Sequence, residues 1–448
     1  MPVVRPSLAP SPGDTIRPLS RPSPAACAAR VRALATALES PPFAAAFVDA
    51  YIRDTGFTWR EVWAREIATP ARLLRLQAEQ TAGETGRLPV GQVAVMMPKN
   101  SLGLTLAKAV ASAYLAGNTT VVYLPRQLTA SAPLYASLLR EQLGSTQVRI
   151  AHGDAGARFL EMQLAQPACA AVVIYGDDTW IETYVPLARA HGKKLIFEGP
   201  GNDPLIVWPG ADLDQAVDGA VRGGLNNGGQ SCSALERFFV HVELYEDFTR
   251  RLIDRLAALR LGSPFDPATA VGPLASPRVW GRLHAQLRAS VARGARVRWG
   301  GSSLFEPVTG RPLLQPAVLT GCRPDMPVVR DETFGPVFPL LAFAEADGLL
   351  AALDATAYGL NTAAHGPLPP AVQDYLLATH RNVYWDSTAV CPHNLPTRLT
   401  DGGYKRSGLL WDFWPGADPR DAPRSGRRNL FLELSHPVGS DRPHPLER

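Results

Sequence analysis

A chain of 448 residues, 46% of them hydrophobic, exceeds one ordinary core and calls for two or three domains. Forty of the 45 basic residues are arginines, a bias that reflects codon composition, and because the net charge of +4 is spread over scattered basic residues mixed with acids a nucleic-acid partner is not expected. No long uncharged apolar stretch suggests a membrane span, and the cysteines at 27, 169, 232, 322 and 391 lack Cys-x-x-Cys spacing, which argues against a disulfide framework or zinc site and fits a reducing cytoplasm.

The first 24 residues hold seven prolines among serines and arginines, lack the apolar core of a signal peptide, and read as a disordered arm. Residues 25–81 are apolar at helical spacing. From about residue 90 the period changes. Runs rich in Val and Ile at 92–97, 119–124, 148–151, 171–175 and 194–197 alternate with helix-like stretches at 101–116, 127–143, 155–166 and 178–191, and Gly117 is placed to end the first of these. Such alternation predicts a parallel, doubly wound, Rossmann-like α/β sheet covered on both faces, suited to a nucleotide. A second α/β unit begins near residue 205, with helices expected at 211–225, 245–259 and 276–293 and strands at 237–242, 296–298 and 337–343. Pro415–Arg428 reads as a polar loop and Asn429–Ser435 as a final strand.

The chemistry concentrates in two loops. Cys232 sits in Asn-Asn-Gly-Gly-Gln-Ser-Cys-Ser (226–233), a polar, glycine-rich stretch before an apolar run. Glu198 follows the apolar run 195–197 and opens Glu-Gly-Pro-Gly-Asn-Asp-Pro. A thiol and a carboxylate on loops at strand ends suggest a nucleophile and a base. The nine histidines show no metal-ligand spacing, and neither a phosphate loop nor a Gly-x-Ser-x-Gly elbow is present. Trp385, Trp411, Phe413 and Trp414 read as core, with a substrate pocket as the alternative.

Four segments in order resemble the aldehyde dehydrogenase superfamily. Residues 229–232 are similar to its Gly-Gln-x-Cys, 198–204 to its Glu-Leu-Gly-Gly-x-x-Pro, 331–337 to its Glu-Glu-x-Phe-Gly-Pro, and 402–408 to its late Gly-Gly-x-Lys-x-Ser-Gly. The resemblance implies that Cys232 attacks an aldehyde to form a thiohemiacetal, that hydride leaves to NAD or NADP, and that Glu198 activates water to hydrolyse the resulting thioester. Asn100, in Met-Pro-Lys-Asn-Ser (97–101), matches the family's oxyanion-holding asparagine, while Lys99 and Ser101 replace two aromatics and make the tunnel more polar. Lys99, His393 and Arg398 hint at a polar or anionic substrate. Glu332 and Phe334 match the residues that hold the nicotinamide half. Pro98, Gly176 and Gly199 belong to the same cofactor-binding set.

The adenosine side departs from the pattern. Leu124-Pro125-Arg126-Gln127 replaces Lys-Pro-x-Glu, which removes an acid and lets Arg126 meet a 2′-phosphate, so that NADP stands beside NAD. Asp177 and Asp178 replace the small residues of the pyrophosphate turn, where either would cap a helix and repel phosphate. Pro200 stiffens the Glu198 loop.

The implied organisation is an arm (1–24), a dinucleotide-binding domain (25–204), a catalytic domain (205–410), and a C-terminal loop and oligomerisation strand (411–448) of a homodimer or homotetramer. Two alternatives stay open. One is an acyl reductase or transferase working with coenzyme A or a carrier thiol. The other is a relative with weakened cofactor binding, acting as a hydrolase or binding subunit.

Overall fold

The computed structural model describes residues 22–153, 155–390, 401–414 and 422–438. Residues 1–21 of the arm, Cys391, His393, Arg398 and residues 415–421 of the polar loop lie outside them; Pro24 already opens a helix, and Gly426–Arg428 at the loop's end is a strand. Five strands build the first sheet in chain order: β1 (Gln92–Met96), β2 (Thr119–Leu124), β3 (Val148–His152), β4 (Cys169–Tyr175) and β5 (Lys194–Glu198). Their alternate residues feed two apolar clusters. Val93, Val95, Val122 and Ile196 face one, and Ala94, Val121, Val172 and Leu195 the other. That division explains the near-continuous apolar runs, because both faces are covered.

The second sheet uses β6 (Asp203–Val207), β7 (Leu235–His241), β8 (Arg296–Trp299), β9 (Ala317–Thr320), β10 (Val337–Phe343), β11 (Asn361–His365) and β12 (Asn382–Trp385), in the order β12-β11-β6-β7-β10-β9-β8. After it come β13 (Asp401–Lys405) and β14 (Gly408–Asp412), and β14 returns antiparallel to β5. The first sheet therefore runs β14-β5-β4-β1-β2-β3. Its order reverses between β4 and β1, so a crevice opens there at the carboxyl ends of the strands.

Several elements differ from expectation. Residues 178–191 form a 3₁₀ turn, Ile181–Tyr184, and a short helix, Val185–Ala190. Neither Asp177 nor Asp178 caps an α-helix: Asp177 Oδ1 accepts from Thr179 N (2.9 Å), and Asp178 is tied to Arg406. Asn429–Ser435 is not a strand. Asn429 caps the helical turn Leu430–Glu433, and the strand Ser435–Pro437 pairs with Arg87–Pro89 of the same chain. The helix over 102–115 contains a π-turn, Leu106–Val110, and Gly117 ends it at φ 84°. A second π-turn is Trp63–Ala68. Trp411 and Trp414 are core, Trp385 is 42% exposed, and none of them lines the main cavity. No helix among the described residues is long and apolar enough to cross a membrane.

Candidate active site

The loop carrying Cys232 is shaped by backbone that only small or amide residues adopt easily. Asn227, Gly228 and Gly229 have φ of 57°, 63° and 77°. A Cβ on Gly229 would fall 2.3 Å from the carbonyl carbon of Gly335, so this loop and the Phe334-Gly335-Pro336 segment touch through backbone. Gln230 braces the loop by accepting from Ala275 N (2.7 Å). A Cβ on Gly201 would lie 1.9 Å from the Cys232 carbonyl oxygen, so the turn after β5 presses directly on the cysteine.

Cys232 is half-buried in the wall of a cavity of about 1300 Å³. Glu198, Asn100, Glu332, Phe334, Pro98, Gly176, Asp177 and Gly199 line the same cavity. Leu124 does not; it is buried in the first core. Arg126 and Gln127 are exposed beyond the end of β2 and are not among the lining residues.

Each side chain is held in a specific way. Asn100 Nδ2 donates to Gln230 O (3.1 Å), which leaves its second amide hydrogen for the cavity. Both carboxylate oxygens of Glu198 accept from Gly402 N (3.0 and 2.8 Å), and Arg428 stands 3.9 Å away. Burial raises the Glu198 carboxyl, Arg428 opposes that, and Asp401 adds to it. Burial likewise pushes the Cys232 thiol above its ordinary value, Glu332 adds to this, and Arg381 pulls it back. Glu332 Oε1 accepts from Gly201 N (3.2 Å), and loss of solvent pushes its carboxyl up to about 7 against the pull of Arg282. Phe334 adopts φ 55°, a strained conformation fixed by Glu236, which accepts from Thr333 N and Phe334 N (2.7 and 2.8 Å). Arg282 lies over the Phe334 ring at 6.0 Å.

Asp178 is not free to repel a phosphate. Arg406 Nε lies 2.5 Å from it, and Tyr358 Oη donates to its other oxygen (3.3 Å). Asp177 remains exposed, but Arg278 and Arg282 line the same cavity as counter-charges.

Several polar residues at the site have no counterpart in the sequence reading. The two π-turns deliver Arg65 and Lys108 to the cavity. Arg65 donates to Asn226 Oδ1 (2.5 Å) and to Ser231 Oγ (3.3 Å), next to Cys232. Arg60, Arg72 and Arg222 add to this positive lining, beside Lys99, which the sequence already marks. Lys108 lies 3.5 Å from buried Asp401, and Arg381 donates to Gly402 O (3.1 Å). One signal was available: in the late segment the family has phenylalanine before Gly-Gly, and this chain has Asp401. The others come from scattered positions with no local pattern.

A model described as "Aldehyde dehydrogenase family" matches residues 23–409. The chain is 34% identical over 281 residues to the Mycobacterium bovis protein named succinate-semialdehyde dehydrogenase [NADP(+)] 1, a match covering 61% of this chain and 59% of that one. It is 33% identical over 277 residues to a Mycobacterium avium protein named succinate-semialdehyde dehydrogenase [NADP(+)], covering 61% and 57%. The matched stretch thus spans somewhat under two thirds of those relatives. Among solved structures, succinate-semialdehyde dehydrogenase from Burkholderia pseudomallei superposes with a TM-score of 0.80 at 25% identity, covering 93% of this chain and 85% of that one. An NAD-dependent aldehyde dehydrogenase from Sinorhizobium meliloti gives 0.81 at 24% identity, covering 94% and 84%.

Proposed function

Because the chain belongs to the aldehyde dehydrogenase family, we propose that it oxidises an aldehyde to a carboxylic acid with NAD or NADP, through a thiohemiacetal and a thioester on Cys232. The observation that carries this reading is the convergence of Cys232, Asn100, Glu198, Glu332 and Phe334 on one cavity. The residues fit a dinucleotide on the nicotinamide side: Glu332 offers acceptors for a ribose, Phe334 a ring face, and Gly176, Gly199 and Pro98 a close-fitting wall. A dinucleotide held by these residues would supply the hydride acceptor. On the adenosine side Arg126 is exposed and available to a 2′-phosphate, and the names of the mycobacterial relatives support NADP.

The chain's own residues then act in order. The Cys232 thiolate adds to the aldehyde carbon. The free Asn100 amide hydrogen and the Cys232 N–H hold the developing oxyanion, and one such donor is worth roughly 100- to 1,000-fold in rate. After hydride departure the acyl group remains on sulfur. Glu198 takes a proton from water, which displaces the thiolate and releases the acid. The positive lining from Arg60, Arg65, Arg72, Lys99 and Lys108 supports an aldehyde that itself carries an acidic group. Assembly as a homodimer or homotetramer belongs to the same proposal; the exposed Leu304, Phe305 and Val308 (58, 71 and 67%) support it.

Calorimetric titration with NAD and NADP, followed by turnover of a carboxylate-bearing aldehyde, tests the reading. Binding of one dinucleotide with Cys232-dependent reduction is expected. No binding of either sinks redox catalysis. A second reading, transfer of the acyl group to a thiol, rests on the anchoring of Glu198 by Gly402 and Arg428; a strict requirement for an added thiol would favour it.

A further inference from the structure

The cavity wall contains a proton donor that the steps above do not use. Tyr175 ends β4, and its register partner on β5 is Glu198. Register partners on neighbouring parallel strands project from the same face, so phenol and carboxylate stand side by side at the crevice. Both line the cavity together with Cys232. The Tyr175 hydroxyl oxygen is buried and has no hydrogen-bond partner among the described residues. Asp401, whose Oδ1 faces Lys108 at 3.5 Å, precedes Gly402, the residue whose N–H anchors Glu198. A buried hydroxyl left without a partner is costly, so one beside a reactive carboxylate calls for a function. Burial, then the charges of Asp401 and Glu198, raise the phenol far above its ordinary range and keep it a donor at working pH, with Arg381 as the opposing charge.

We propose that Tyr175 is a further catalytic residue, whose phenol O–H holds the water that hydrolyses the Cys232 thioester. The water accepts from Tyr175 and donates to Glu198, both of which line the cavity with Cys232. Its remaining lone pair faces the acyl carbon. As its oxygen adds to the carbonyl, one of its protons passes to Glu198. The carbon–sulfur bond then breaks, Cys232 leaves as thiolate, and the acyl group departs as the carboxylic acid. The acyl carbon keeps its oxidation state, so no further reagent is consumed. The inference rests on the thioester reading given above.

The test uses the protein without dinucleotide. 4-Nitrophenyl acetate acylates a reactive cysteine with release of nitrophenolate, and intact-mass measurement follows the acetyl adduct. Tyr175→Phe is expected to acylate at the wild-type rate while its adduct lives about 10- to 100-fold longer, the scale of one lost hydrogen bond. A role confined to packing would move thermal unfolding and both rates together; unfolding is expected to stay unchanged. Adduct decay in Tyr175→Phe at the wild-type rate overturns the proposal. An adduct that persists in the wild type until a thiol is added also overturns it, while leaving Cys232 as nucleophile. If the wild type forms no adduct beyond that of Cys232→Ala, the thioester reading itself fails, and this inference with it.

Discussion

The proposed role of Cys232 requires it to ionise, and its surroundings work against ionisation. Burial and the nearby Glu332 raise the thiol, and Arg381 is the cation that lowers it. The thiolate fraction therefore grows with pH across the neutral and mildly alkaline range. Alkylation of Cys232 by iodoacetamide is expected to accelerate throughout that range, with no plateau near neutrality. Arg381→Met removes the opposing charge and should slow alkylation at pH 8 by about 3- to 10-fold, since one pKa unit is worth tenfold in thiolate. Equal alkylation profiles for the two proteins would show that Arg381 serves only its bonds to Gly402 O and Asn361 Oδ1. The other described cysteines, Cys27, Cys169 and Cys322, are buried, and alkylation of Cys232→Ala, measured in parallel, subtracts any signal from Cys391.

At the scale of elements, the site depends on turns that leave no room for a side chain. Gly201→Ala would drive a Cβ to within 1.9 Å of the Cys232 carbonyl oxygen, and the cysteine loop must move. Loss of at least about 100-fold in kcat/KM is expected, because small misplacement of reacting groups carries that penalty. Wild-type activity in this variant would mean that the loop is loose. Gly103 is a second close approach. A Cβ there would meet Pro70 Cγ at 2.6 Å and the Glu66 backbone at 2.7 Å, where the two π-turned helices cross. Gly103→Ala should destabilise by about 1–3 kcal/mol, read by denaturant unfolding.

The sequence made the first sheet legible because its strands are unbroken Val- and Ile-rich runs separated by good helix formers. β11, Asn-Thr-Ala-Ala-His, and β13, Asp-Gly-Gly-Tyr-Lys, carry no such signal and are strands because of their neighbours. The short helix Val185–Ala190 was misjudged for the same kind of reason: Asp178, a strong cap in isolation, is taken by Arg406 from 228 residues away. Cys232, Glu198, Asn100 and Glu332 were legible because each lies in a compact local segment. Tyr175, Arg65 and Arg381 were not, since only the fold gathers them, and Asp401 was marked only by its departure from the late segment.

For the whole molecule, buried ionisable groups set how stability answers to pH. Burial pushes Glu66 and Asp203, each 1% exposed, up to about 7. The unfolded chain releases these protons near pH 4. Below that value both states are protonated, and the contribution to folding is complete. Between about 4 and 7 the unfolded chain has lost protons that the native state keeps, so stability falls as pH rises; above that the native acids ionise too and nothing more is lost. The buried His365 and His380 act in the opposite sense. Burial lowers both, His380 to about 3, so their contribution is complete above the unfolded value near 6.5 and is lost progressively as pH falls from there toward the folded values. The two effects oppose each other in acid, and the acids act alone just above pH 6.5, where the melting temperature should drop most steeply. Glu66 isolates the cause. It does not line the cavity, and Glu66→Gln keeps an acceptor for Gly103 N while removing the proton. The variant should gain on the wild type by about 1–3 °C at pH 8 relative to pH 5.5. A difference in melting temperature that is the same at both pH values would show that Glu66 acts through packing and not through its proton.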